Sequence, residues 1–221
     1  MDLEASDISR LYRDSRERLA ALVADLDDTA LATPVPACPG WCVQDTIAHL
    51  AAVVDDALAG RLAGPPTEEQ TAAQVARYKG RPMPDILSEW TAGSPQFEEV
   101  IGAFNIPQAI IDVTSHEQDI RGALDLPGAR DNEALLVMAG WLLARLHTPV
   151  PLYVTVEDTE YRAGPDGDPG LGLRTTRYEA FRWRMGRRSR DQLAALDWSG
   201  DPAPVLDHLV VFGPARTDII E

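Results

Sequence analysis

The chain of 221 residues carries 35 acidic against 20 basic side chains, a formal charge of -15, and 45% apolar content. That apolar share is enough for a packed core, while the acidic excess opposes nucleic acid or an anionic membrane surface as a partner, since both are recognised through Lys and Arg. No stretch approaches the roughly 18 to 20 consecutive apolar residues of a membrane span, and Met1-Asp2-Leu3-Glu4 lacks the basic-then-apolar order of a signal segment, so the expected location is cytoplasmic.

Apolar residues recur at helical spacing from Ile8 to Leu26 and predict a first helix, with Ser6 or Asp7 able to cap it. Pro34, Pro36, Pro39 and Gly40 then impose an irregular connection. It contains both cysteines, Cys38 and Cys42, whose spacing is not that of a CxxC redox or zinc pair, and which are expected as free thiols. A second helix is predicted from Val43 to Leu62, closed by Gly64-Pro65-Pro66. The polar stretch Thr67 to Pro82 reads as a helix-containing connection. A third helix is expected from Pro84 to Phe104, with Gly93 and Pro95 as potential breakers. The fourth runs from Pro107 to Leu124, stopped by Pro127-Gly128.

The fifth predicted helix, Asn132 to His147, is almost continuously apolar and should be buried. Beyond Thr148-Pro149 the sequence changes character: Leu152 to Val156 favours a strand, Gly164 to Gly172 a loop, and Leu173 to Thr176 a second strand. Helices are expected again at Tyr178 to Met185, at Arg190 to Leu196 behind a Ser189/Gln192 capping box, and from Asp201-Pro202 to Val211. The expected organisation is α+β but mainly α, with a helical bundle over residues 1–148 and a small α+β domain over 149–221.

Candidate chemistry centres on the second and fourth helices. At about 100° per residue, Asp112 and His116 fall one turn apart on one face, with Asp119 on the same side, at the border of an apolar arc of Ile110, Val113, Ile120 and Leu124. Asp-x-x-x-His supplies an oxygen and a nitrogen ligand that one divalent ion can bridge. By itself such a pair is more often a surface hydrogen bond. His49 lies off the apolar stripe of Ile47, Leu50, Val54 and Leu58, so its spacing points to an exposed position or to a ligand. A His, Asp, His set leaves one coordination position open, as catalytic zinc sites do.

CPGWCVQDTIAHL, from Cys38 to Leu50, resembles the start of the metal-binding domain in the mycothiol-dependent maleylpyruvate isomerase family, a DinB-like four-helix bundle. Gly40-Trp41, Asp45 and Ala48-His49-Leu50 carry the likeness. DVTSHEQDIRGAL, from Asp112 to Leu124, is similar to the family's second metal motif, and RWRMGRRSRDQLAALDWSGDP and LVVFGP are similar to the small C-terminal domain of its actinobacterial members. Two positions depart from the pattern. Asp112 stands where the isomerase has a longer Glu, and Cys42 where a capping Thr is usual, a change that weakens the cap by about 1 kcal/mol.

The resemblance implies a divalent metal, expected to be zinc, held by His49, Asp112 and His116, with mycothiol at the open position. Its thiolate would add to an electrophilic carbon of a small substrate, giving double-bond isomerisation or a stable conjugate. No protein nucleophile competes in the sequence: there is no Gly-x-Ser-x-Gly turn, and neither cysteine has a nearby His along the chain. Asp119 or Asp45 is expected to orient the ligand histidines. Arg187 resembles a family arginine near the site and would grip a substrate carboxylate. A metal-binding module without catalysis, with Asp119 as fourth ligand, and a zinc-water hydrolase are the rival readings.

Overall fold

The computed structural model describes residues 3–167 and 170–221, so part of the predicted loop Gly164 to Gly172 lies outside the described residues, as do Met1 and Asp2. The protein is α+β and mainly α, and it divides into two compact units, the residues up to Pro127 and Gly128–Glu221.

The first unit contains α1 (Ala5–Val23), α2 (Asp28–Leu31), α3 (Val43–Leu58), α4 (Glu68–Tyr78), α5 (Met83–Ala103) and α6 (Gln108–Ala123). The long helices form a four-membered ring in the order α1, α5, α3, α6, and α4 packs on α3. Ile8, Leu11, Leu19, Ile47, Ile86, Trp90, Ile101, Ile110 and Ile120 fill its interior. The Trp90 indole donates to the Tyr12 hydroxyl at 3.1 Å, and Tyr12 meets Phe97 edge-on at 5.1 Å.

Pro95 does not break α5. Its ring removes the donor that the Thr91 carbonyl would otherwise receive, but both residues lie on the exposed side, where water can replace it. Gly93 is needed for a different reason: a Cβ there would sit 3.0 Å from the Val54 side chain, so α5 approaches α3 more closely than a larger residue would permit.

Two buried carboxylates pin helices together. Glu117 on α6, fully buried, accepts from Arg18 on α1 at 2.6 to 3.0 Å and from Arg121 at 3.1 Å. Glu98 on α5 accepts from Arg13 of α1 at 2.7 Å.

In the second unit α7 (Glu133–Leu143) is followed by β1 (Leu152–Val156), β2 (Thr159–Ala163), β3 (Leu171–Thr175), α8 (Arg177–Arg184), α9 (Arg190–Ala194) and the two-residue β4 (Asp197–Trp198). The sheet order is β2-β1-β3-β4, with β1 and β3 parallel and the other pairs antiparallel. β1 alternates buried Leu152, Val154 and Val156 with half-buried Tyr153 and Thr155, and these inward residues share a core with Leu173, Trp183, Leu193 and Leu206.

The apolar helix α7 packs on α8, and Leu143 joins the core of the sheet. The division therefore falls near residue 127, ahead of this helix, whereas the sequence reading places the boundary at 148 and α7 with the bundle. A continuous apolar helix carries no mark of which core it joins.

The Ser189/Gln192 capping box is present, with bonds of 3.0 Å in both directions. The helix expected from Pro202 to Val211 is reduced to a short 3-10 turn, Leu206–His208. Pro204 withholds a backbone donor there, and Val205, Leu206 and Leu209 reach the core from an irregular backbone.

Candidate metal centre

The connection before α3 folds back on itself. Val35 N donates to the Trp41 carbonyl at 2.9 Å and Trp41 N to the Cys38 carbonyl at 3.0 Å, with Gly40 at a φ of 90° that strongly favours glycine. Cys42 begins α3. Its backbone N–H and its thiol both donate to the Asp45 carboxylate, at 3.0 and 3.2 Å. Asp45 is thus committed to the helix start and not to a ligand histidine. Burial pushes the Cys42 thiol above its ordinary pKa, so it stays protonated at neutral pH.

His49 on α3 and Asp112 and His116 on α6 converge. Asp112 Oδ2 lies 3.7 Å from His49 Nε2 and its Oδ1 lies 3.5 Å from His116 Nε2. The two imidazoles stand edge to face, with centroids 5.4 Å apart, and donor atoms from all three residues fall within 4.8 Å of one another. Ligands on one tetrahedral ion with bonds of about 2.0 to 2.1 Å would be about 3.3 to 3.4 Å apart, so the two separations from Asp112 are close to those that a divalent ion requires. Both histidines are buried, whereas the Asp112 side chain is 35% exposed.

His49 is therefore buried and does not hold the exposed position that its spacing would also allow. The Trp41 indole packs over it with centroids 5.1 Å apart, and α4 covers the far edge of its ring, where Gln74 Oε1 lies 2.9 Å from His49 Nδ1. Gln74 in turn donates to Asp56 Oδ2 at 2.8 Å, and Asp56 Oδ1 accepts from Arg61 and Arg77 at 2.7 Å each. Sequence reasoning missed Gln74.

Asp119 lies on the other side of His116. Its Oδ2 is 3.1 Å from His116 Nδ1, so it orients the ring and does not join Asp112 at the Nε2 side. Cys38 completes this outer face: its Sγ is 3.7 Å from His116 Nδ1 and donates to Asp119 at 3.6 Å. The pairing of a cysteine with a histidine, absent from the local sequence, arises because the proline-rich connection folds onto α6. A surface hollow of about 420 Å³ borders Trp41, Cys42 and Asp45 but is lined by none of the three candidate ligands.

Arg187 belongs to the second unit. It follows Gly186, whose φ is 75° and whose absent Cβ would meet the Gly213 carbonyl oxygen at 2.3 Å, and its guanidinium donates to the Met185 carbonyl at 2.7 Å. The neighbouring Arg188 is paired with Glu179 at 2.6 and 2.8 Å.

Burial alone would raise the Asp56 carboxyl, but the bonds from Gln74, Arg61 and Arg77 outweigh it and hold its pKa below the ordinary 3.8. A depressed folded pKa stabilises the protein above the unfolded pKa, and that stability is lost as pH falls through the folded value. Asp56→Asn is therefore expected to cost about 1 to 3 kcal/mol near neutral pH. In urea melts, the gap to the parent protein should be constant above about pH 6 and close below about pH 4.

A helical bundle with a histidine, aspartate and histidine cluster between two of its helices is the class of protein that this fold and site define. Residues 12–119 match the family described as Mycothiol maleylpyruvate isomerase N-terminal domain. Among solved structures, "Crystal structure of the mycothiol-dependent maleylpyruvate isomerase" is similar in fold, with a TM-score of 0.51 and 16% identity over 84% of this chain and 90% of that one. A histidine-to-alanine mutant of that enzyme gives 0.51 and 15% over 83% and 90%. No curated protein matches the sequence. Among the described residues no helix is long and apolar enough to cross a membrane.

Proposed function

We propose that the protein is a metal-dependent enzyme using mycothiol as thiol cofactor to isomerise or conjugate a small electrophilic substrate, with His49, Asp112 and His116 as ligands of a zinc ion. The observation that carries this reading is the disposition of donors around the two imidazoles. The Nε2 atoms and Asp112 face one point, while Asp119, the residue best placed by sequence to be a fourth ligand, sits on the Nδ1 side of His116. Such a set leaves a coordination position for a guest, as catalytic rather than structural zinc sites do.

Zinc bound there would supply a Lewis acid that favours the deprotonated form of a cofactor thiol at neutral pH. The protein's own part is to hold the ligands. Asp119 accepts a hydrogen bond from Nδ1–H of His116, Gln74 does the same for His49, and Trp41 packs against the His49 ring in a tilted contact. Cys42, kept protonated, is a poor competing nucleophile. Arg187 is proposed to bind a substrate carboxylate in a forked contact, and the reducing cytoplasm is the compartment that suits a thiol cofactor.

The test is to load the protein with zinc, add mycothiol and a panel of electrophiles such as maleyl-type diacids, and follow thiol consumption and double-bond geometry. Turnover that requires both metal and mycothiol is expected. Hydrolysis of esters or amides without any thiol would favour the zinc-water reading instead. Metal binding with no turnover of any kind would leave a binding module.

A further inference from the structure

The bonds around His49 fix the direction in which each hydrogen points. Asp56, with Arg61 and Arg77 on its other oxygen, only accepts, so the Gln74 group 2.8 Å from it must be the amide NH2. The Gln74 carbonyl oxygen then faces His49 Nδ1 at 2.9 Å. That oxygen also only accepts, so Nδ1 must carry the imidazole hydrogen of neutral His49. Nε2 is left with its lone pair directed at the side where Asp112 and His116 stand. Gln74 and His49 are 0 and 3% exposed, so no bulk water is available to substitute for either partner.

We propose that Gln74, on α4, is a positioning residue for the metal centre. It carries the charge state of Asp56 to His49 as a hydrogen-bond direction and so sets which nitrogen of His49 is offered as a ligand. The inference rests on the reading of His49 as a metal ligand. It gives α4, otherwise a polar helix on the outside of the bundle, a role in the site. It also explains why the buried amide is a Gln: an apolar residue could pack there, but only a group with one donor and one acceptor can join a carboxylate to an Nδ1–H.

The tautomer can be read without metal. Full-length protein labelled with 15N, freed of metal and held at about pH 8.5, above the histidine titration range, should show His49 protonated on Nδ1 alone. Gln74→Leu should move His49 toward the Nε2–H form and weaken zinc binding, measured by competition with a chromophoric chelator, by about ten- to a hundredfold, the usual cost of losing an outer partner of a ligand histidine. Asp56→Asn frees the Gln74 amide to turn over, so it should shift the tautomer in the same direction although it touches no ligand. The double variant should bind zinc no worse than Gln74→Leu, because the two residues act in series. A parent protein with the hydrogen on His49 Nε2 overturns the proposal. So does a Gln74→Leu protein that melts earlier but keeps the parent tautomer and zinc affinity, because Gln74 would then merely hold α4. If the parent binds no zinc, the metal reading fails, and the metal-free tautomer still decides whether the relay exists.

Discussion

Zinc titrated into metal-free protein is expected to reach one equivalent, and His116→Ala is expected to weaken that binding by more than about a hundredfold, beyond the usual cost of losing an outer partner. The geometry makes His116 the most demanding test. Its Nε2 lies 3.5 Å from Asp112, its ring is 5.4 Å from that of His49, and its other nitrogen is held by Asp119, so removing it takes away a ligand and its orienting bond together. Elemental analysis after dialysis should show metal in the parent and almost none in the variant. A ligand that binds only the folded state also stabilises it, by about 2.7 kcal/mol at a hundredfold excess over Kd. Zinc should raise the melting temperature of the parent and leave that of His116→Ala unchanged. Equal zinc content in both proteins would remove His116 from the ligand set.

A comparably large effect on stability is expected at Glu117, the next residue along α6. Glu117 is fully buried, and Arg18 provides most of its hydrogen bonds. Arg18→Met leaves a buried carboxylate with Arg121 still donating to it at 3.1 Å, and should cost about 3 kcal/mol, the lower end for breaking a buried ion pair because one partner survives. Replacing both charges, as Arg18→Met with Glu117→Leu, should recover most of that loss, since a well-packed apolar pair is often as stable as a buried ionic one. Chemical denaturation distinguishes the cases. A double variant as unstable as the single one would mean that the cost lies in lost packing of the arginine stem and not in a stranded charge.

Much of the site is legible in the sequence because it is built from helical spacing. Asp112 and His116 are one turn apart, Asp119 follows on the same side, and each of these relations is local to α6. His49 is visible through its departure from the apolar stripe of α3. Its burial is not, because the groups that bury it come from elsewhere: Trp41 from the proline-rich connection and Gln74 from 25 residues further along. The sequence of α4, EEQTAAQVARY, reads as a solvated helix, and nothing in it distinguishes the inward-facing Gln74 from Gln70, which caps the helix at Thr67. Cys38 is hidden for the same reason, since its contact with His116 spans 78 residues.

In the second unit the apolar alternation of β1 marks it as a strand, whereas β2, TEYRA, buries only Ala163 and offers no apolar face to read. The boundary between the units is obscured by α7, whose apolar surface would suit either core. Asp45 illustrates the opposite error. Its proximity to His49 in sequence suggests a supporting role, but the Cys42 backbone N–H and thiol at the start of α3 both donate to its carboxylate.

The unequal burial of the three donors bears on how fast an ion would be exchanged. With both imidazoles enclosed and the Asp112 side chain 35% exposed, the carboxylate edge would be the gate through which hydrated cations arrive and chelators reach in. Lability of the centre would then follow the swing of a single short side chain, and the same edge is where an incoming sulfur would find room.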